Sequence, residues 1–211
     1  ECFLSINIDL YQNNCILTPL DNTMLKILVI GKGFGGGRLG NKFAQLQSYF
    51  PDTVFVSVPE PTPEFIDRGV EILGEKIISE KPDMIIASSR GGKYLLRLLD
   101  DLIWNGPCFL ISCLHTHSII RQGIPFMVVH GKYDNTNPEF RVKMDIQQGN
   151  EEICKLEIMD DDHSLNSLFE GDHLRDLILE LDELKNRISE VNTIEQGKRI
   201  GFLDEIKRIR K

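Results

Sequence analysis

The sequence predicts an α/β fold, a mostly parallel central sheet flanked by helices on both faces in three layers. Three observations carry this expectation. From Met24 onward, short β-branched runs alternate with longer amphipathic stretches. Two of the runs, MIIA within 83–87 and FMVV within 125–130, are apolar at successive positions, as strands covered on both sides are. The chain has 211 residues, 41% hydrophobic and 27% charged, enough to bury a core without disulfides or metal. The expected organisation is an N-terminal extension or edge strand at 1–23, a domain at 24–191 and a tail with helical potential at 192–211.

The elements are expected in the following order. Cys2–Ile8 has the pattern of one strand, and Leu25–Ile30 is a stronger one. The glycine-rich Gly31–Gly40 then leads into a helix over Asn41–Tyr49, and Thr53–Val58 forms the next strand. Pro63 suits the first position of a helix whose apolar stripe is Ile66, Val70, Ile72, Leu73 and Ile77. Asp83–Ala87 is a buried strand, followed by the tight connection Ser88–Gly92 and a helix over Lys93–Trp104. Strands follow at Cys108–Leu114, Pro125–His130 and Cys154–Met159, with a helix starting near Pro138 and capped by Thr136 or Asn137. A last helix spans about Leu174–Val191, and the terminal KRIRK reads as a solvated or frayed end.

Charge and cysteine usage exclude several function classes. Twenty-four basic against 32 acidic residues give a net charge of −8, which argues against phosphate-backbone binding and hence against nucleic acid as a partner. No apolar run approaches the ~18 residues of a membrane span. The five cysteines are an odd number, widely spread and without a C-x-x-C pair, which points to a reducing compartment rather than a disulfide scaffold or zinc ribbon. With no basic, apolar signal segment visible either, a cytoplasmic location is expected. His115 and His117 have metal-like spacing but no evident third ligand, so a polar loop and no metal site are expected. His173, Cys113 and Cys154 read as structural.

In an open α/β sheet, sites form outside the carboxyl ends of the strands, so the residues delivered there are the candidates. The strand ending at Ala87 runs into Ser88-Ser89-Arg90-Gly91-Gly92, a small-x-Ser-x-Gly pattern centred on Ser89. A sharp strand-to-helix turn would hold that hydroxyl clear of the sheet and tolerates only small neighbours two residues away. Ser88 fails as the centre, because its flanks are Ile86 and Arg90. The segment HGKYD places Asp134 just past the strand ending at His130, and the last strand ends in DDDH, with His163. Read singly, each has a plainer explanation: a helix cap, an Asp-Asn turn, a surface histidine in an acidic loop. Together, Ser89, Asp134 and His163 each fall at the carboxyl end of a separate strand, in the order serine, acid, histidine. The glycine loop Lys32-Gly33-Phe34-Gly35-Gly36 after the first strong strand adds a fourth feature.

These motifs resemble those of the α/β-hydrolase superfamily of serine hydrolases, particularly its small members with little or no lid. The resemblance spans roughly 25–179. KGFGG resembles the family's H-G-F-G-G oxyanion loop and ASSRGG its G-x-S-x-G-G elbow, with HGKYD and DDDH following. It implies Ser89 as nucleophile, Asp134 as triad acid and His163 as base. The backbone N–H groups of Phe34 and Arg90 would form the oxyanion hole, and Gly33 and Gly35 would lie against the substrate. Lys32 stands where the family usually has His, and Ala87 replaces the first elbow glycine. The implied activity is cleavage of a carboxylic ester or thioester through an acyl-enzyme, with no cofactor and a small-molecule or acylated substrate. Only ten residues, His115–Ile124, are available for a cap, which suits an open site.

Two alternatives remain open at this level. Gly31, Gly33 and Gly36 also spell a dinucleotide-binding fingerprint, with Glu60 as the ribose-binding acid of an NAD(P)-binding Rossmann-type protein. Pro59 and the late position of Glu60 count against it. The other is a non-catalytic scaffold with the α/β-hydrolase fold. One of Asp160, Asp161 and Asp162 could also replace Asp134 as the carboxylate that orients His163.

Overall fold

The structure is a computed structural model that describes residues 25–31, 38–113, 124–147 and 153–189. Six strands are described: β1 (Ile27–Gly31), β2 (Val54–Ser57), β3 (Met84–Ser88), β4 (Cys108–Ile111), β5 (Phe126–Gly131) and β6 (Cys154–Met159). The helices are α1 (Arg38–Tyr49), α2 (Ile66–Glu80), α3 (Gly91–Asp100), α4 (Glu139–Gln147) and α5 (173–189), with a 3₁₀ turn at Asn166–Phe169. All five strand pairings are parallel, in the order β2-β1-β3-β4-β5-β6. The expected α/β class is therefore the observed one.

Side chains alternate across each central strand and so feed two cores. Leu28, Ile30, Ile85, Ala87, Leu110 and Val128 pack against helices α2, α3 and α4, which supply Val70, Leu73, Tyr94, Leu95 and Val142. Ile27, Val29, Met84, Ile86, Phe109 and Val129 face the opposite way, onto Phe43 and Leu46 of α1 and Leu177, Ile178 and Leu181 of α5. Strands covered on both faces cannot show the polar–apolar alternation of a half-exposed sheet, which is why their sequences are continuous apolar runs.

Several boundaries differ from the sequence expectation, each for a local reason. The helix expected to begin at Pro63 begins at Ile66, because the Thr62 carbonyl accepts the N–H groups of both Phe65 and Ile66 and closes a separate turn first. Helix α3 starts at Gly91 and stops at Asp100, four residues short of Trp104, where Leu102 takes a left-handed φ of 56°. Neither Thr136 nor Asn137 caps α4: the Asn137 side chain instead donates to the Cys113 carbonyl. Strand β4 ends at Ile111, since Ser112 turns left-handed at φ 48°. The expected strand at Cys2–Ile8, the remainder of 1–24, the glycine loop from Lys32 to Gly37, His115 and His117, and the tail from 190 onward lie outside the described residues.

Candidate active site

The strand order reverses between β1 and β3. Their following helices, α1 and α3, lie on opposite faces of the sheet, so the carboxyl ends of these two strands form the switch point at which open α/β sheets place their sites. Ser89 sits there, between the end of β3 and the start of α3.

Ser89 has φ 49°, a left-handed backbone that costs a non-glycine residue about 1–3 kcal/mol and must be held by its surroundings. Several contacts hold it. The Ser89 N–H donates to the Ile111 carbonyl at 2.8 Å, and its carbonyl accepts the Gly92 N–H at 3.2 Å. The Cys113 thiol donates to the Ala87 carbonyl at 3.1 Å, and burial pushes that thiol up to about 12, so it remains a protonated donor. Gly91 passes so close to β1 that a Cβ there would lie 3.0 Å from the Ile30 carbonyl oxygen. The glycine two residues after Ser89 thus has a steric reason.

Asp134 follows β5 by three residues and its side chain is fully buried. One oxygen, Oδ1, accepts the backbone N–H groups of Thr136 at 2.8 Å and Asn137 at 3.2 Å; the other, Oδ2, accepts His163 Nδ1–H at 2.7 Å. Burial alone would raise the carboxyl's pKa, but the bonds from His163, Thr136 and Asn137 outweigh it and hold the group below its ordinary range.

His163 lies in the turn after β6. Asp161 fastens that turn by accepting the Ser167 N–H and Oγ–H, each at 2.8 Å, while Leu165 and Leu168 anchor it in the core. The acidic run therefore serves loop folding, and none of its members replaces Asp134 against the imidazole: Asp160 meets Tyr133 and Lys132, and Asp162 accepts the Ser164 N–H. Gly131 lets the turn approach β5, since a Cβ there would lie 2.3 Å from the Asp162 carbonyl oxygen.

With Nδ1–H committed to Asp134, His163 Nε2 carries a lone pair, and it stands 2.9 Å from Ser89 Oγ. The three candidates, 45 and 29 residues apart in sequence, form one hydrogen-bonded chain. Such a chain can draw the hydroxyl proton onto an imidazole whose developing charge faces a buried carboxylate. The Arg90 N–H, at the N-cap of α3, belongs to the helix-terminal donors that have no carbonyl within the helix. Its guanidinium, 63% exposed, pairs with Glu60 beyond the end of β2, so the residue that would serve as a ribose-binding acid is engaged by a neighbouring cation. Gly33, Phe34 and Gly35 of the expected oxyanion loop, and Gly36 of the alternative fingerprint, lie outside the described residues. His173 stands 3.8 Å from Glu157, and Cys113 and Cys154 are buried in the core.

An open cleft of about 640 Å³ beside the turn after β5 reaches Asp134, Tyr133 and Phe140 but not Ser89. Among the described residues, no group of three His, Cys, Asp or Glu side chains could hold a metal ion, and no helix is long and apolar enough to cross a membrane.

Two further groups support the site through burial rather than through any motif. His130 and Asn137, both buried, pack beneath Asp134. The His in HGKYD was visible, but only the folded chain shows that it points inward.

No protein-family model and no curated protein sequence matches the chain. Solved structures do resemble it. The esterase domain of a Rhodothermus marinus protein aligns with a TM-score of 0.54 at 10% identity, covering 75% of this chain and 89% of that one. An esterase from Exiguobacterium antarcticum aligns at 0.51 and 11%, covering 76% and 92%. A monoacylglycerol lipase from Paleococcus ferrophilus aligns at 0.50 and 10%, covering 76% and 93%. At these identities the likeness is one of fold, and that fold is the α/β-hydrolase fold.

Proposed function

We propose that the protein is a serine hydrolase that cleaves a carboxylic ester or thioester through an acyl-enzyme on Ser89. One observation carries the reading: the continuous chain Ser89 Oγ–His163 Nε2, His163 Nδ1–Asp134 Oδ2, at 2.9 and 2.7 Å, on a serine held at φ 49°. The similarity of fold to esterases and a lipase supports it.

In this reading His163 Nε2 accepts the Ser89 hydroxyl proton as Oγ attacks the carbonyl carbon. Asp134 fixes the Nδ1–H tautomer and faces the imidazolium that forms. The carbonyl π pair moves onto oxygen, where the Arg90 N–H and that of Phe34 stabilise it; Gly33 and Gly35 would let the loop backbone come close. Loss of one such donor typically costs ~100–1,000-fold in turnover. When the tetrahedral intermediate collapses, the bond to the leaving oxygen or sulfur breaks and His163 hands that atom its proton. A water molecule, deprotonated by His163, then attacks the acyl carbon; the bond to Ser89 Oγ breaks as His163 returns the proton to that oxygen, and the acid is released.

Nothing in these steps calls for a cofactor. The Arg90–Glu60 pair beside the nucleophile is the charged feature against which a substrate would lie. A dinucleotide-binding reading makes no use of the Ser89–His163–Asp134 chain. A small-molecule ester or thioester, or an acylated surface, is the substrate class that a short cap segment suits.

The test is labelling with a fluorophosphonate probe, read by peptide mass spectrometry, with Ser89→Ala alongside. A stoichiometric adduct on Ser89 is expected, with turnover of short esters falling up to ~10⁶-fold in the variant. Folded protein that takes no adduct, or a Ser89→Ala enzyme with unchanged turnover after contaminating esterases are excluded, overturns the reading and makes NAD(P) binding the next measurement.

A further inference from the structure

His130, the penultimate residue of β5, is fully buried and takes no part in the steps above. Its Nε2 lies 2.6 Å from the Asn137 carbonyl oxygen and 3.8 Å from Asp134 Oδ2, the same oxygen that receives His163 Nδ1–H. A carbonyl oxygen only accepts, so Nε2 carries the proton and donates it there. Nδ1 then holds a lone pair; among the described residues it is buried with no hydrogen-bond partner.

Asn137 is the point where several ties meet. Its N–H donates to Asp134 Oδ1 at 3.2 Å, its carbonyl accepts from His130, and its side-chain amide donates to the Cys113 carbonyl at 3.1 Å. The Cys113 thiol in turn donates to Ala87, two residues before Ser89. His130 thus holds the far end of the turn that carries Asp134.

We infer that His130 is a positioning residue for Asp134, and that it acts only as the neutral Nε2–H imidazole: it locks the 134–137 turn so that Oδ2 is aimed at His163. The inference rests on the serine-hydrolase reading above. A second proton, on Nδ1, would find no acceptor, and the resulting cation would compete with His163 for the Asp134 charge. The charged and titratable groups facing His130 are Asp134 after β5, Glu139 in the first turn of α4 and His163 after β6; β6 itself lays Ile158 alongside. Burial outweighs these acids and holds His130 below the ordinary histidine range, so at neutral pH it is in the form the turn requires.

The experiment compares wild type, His130→Leu and His130→Gln in steady-state hydrolysis of a short p-nitrophenyl ester from pH 4.5 to 9. Leucine removes the donor. Glutamine can present an amide N–H near the Nε2 position but cannot become a cation. A displacement of ~1 Å in a catalytic group costs on the order of 100-fold, so His130→Leu should lose ~10–100-fold in kcat with KM little changed, and His130→Gln should recover to within ~3-fold at pH 8. The acid limb of kcat/KM should be steeper than one proton in wild type and close to one proton in His130→Gln.

A ¹⁵N-histidine spectrum of wild type supplies a readout independent of turnover and of the leucine variant's folding, and should show His130 protonated at Nε2. Wild-type kcat in a folded His130→Leu, equal losses in both variants, an unaltered acid limb in His130→Gln, or an Nδ1–H tautomer each overturns the inference. Failure of the underlying reading looks different: Ser89→Ala would then keep its activity whatever His130 does.

Discussion

Replacing Gly131 by alanine should disable the site without touching any residue of the Ser89–His163–Asp134 chain. Gly131 ends β5, and the turn carrying His163 folds directly over it: Lys132 N–H donates to Met159 and Tyr133 N–H to Asp161, both at 2.9 Å. An alanine Cβ would stand 2.3 Å from the Asp162 carbonyl oxygen and 2.7 Å from that of Asp161, where ordinary contact begins at 3.4 Å. These are backbone atoms, so no side-chain rotation relieves the clash. The 161–162 segment must retreat by about 1 Å, carrying the adjoining His163 with it. A shift of that size stretches the 2.9 Å bond to Ser89 Oγ beyond hydrogen-bonding range. The expected loss is on the order of 100-fold in kcat, with overpacking lowering stability by ~1–3 kcal/mol. The assay is kcat on a short ester together with the rate of fluorophosphonate labelling and a thermal melt. A folded Gly131→Ala protein with wild-type turnover would refute the claim that the close approach at Gly131 sets the position of His163.

Two other outcomes follow from the same geometry. In Asp134→Asn, the Thr136 and Asn137 N–H groups claim the amide oxygen at the Oδ1 position and turn the NH₂ toward His163 Nδ1. A donor there forces the imidazole proton onto Nε2, so it cannot take the Ser89 proton, and kcat should fall by ~10⁴-fold with the fold retained; an active variant contradicts this assignment. Acid should destabilise the protein in two steps. His130 is held below its ordinary 6.5 by burial, so below about that pH the unfolded chain binds a proton the folded one refuses, and stability falls with pH. Asp134, held below its ordinary 3.8, adds stability that persists above that value and is lost as pH drops further. Melting temperatures across pH 3–8 should show both steps, with the first diminished in His130→Gln; a flat profile between pH 7 and 5 contradicts the buried neutral histidine.

The amino-acid sequence by itself determined the fold class and the sites of delivery. Continuous apolar runs such as MIIA specify strands covered on both faces, and the glycine at 91 marks a chain that must pass close to a neighbouring strand. Because sheet connections here are short, Ser89, Asp134 and His163 could be placed at strand ends from local pattern alone. What the local pattern does not contain is direction and proximity across the sheet. Strand-end placement favours Asp134 as the carboxylate that meets His163, with one of Asp160, Asp161 and Asp162 as its alternative. The answer follows from the parallel pairing of β5 with β6 and from Asp161 being spent on Ser167.

The same limit hid His130 and Asn137, whose roles arise from burial beneath Asp134 rather than from any spacing. It also misplaced the start of α2, where a turn closed by the Thr62 carbonyl overrode the helical preference of Pro63. Strand identity is written in nearest-neighbour chemistry. The register between strands, and hence the 2.7 and 2.9 Å contacts on which the proposed chemistry depends, is settled only when both faces of the sheet are packed at once.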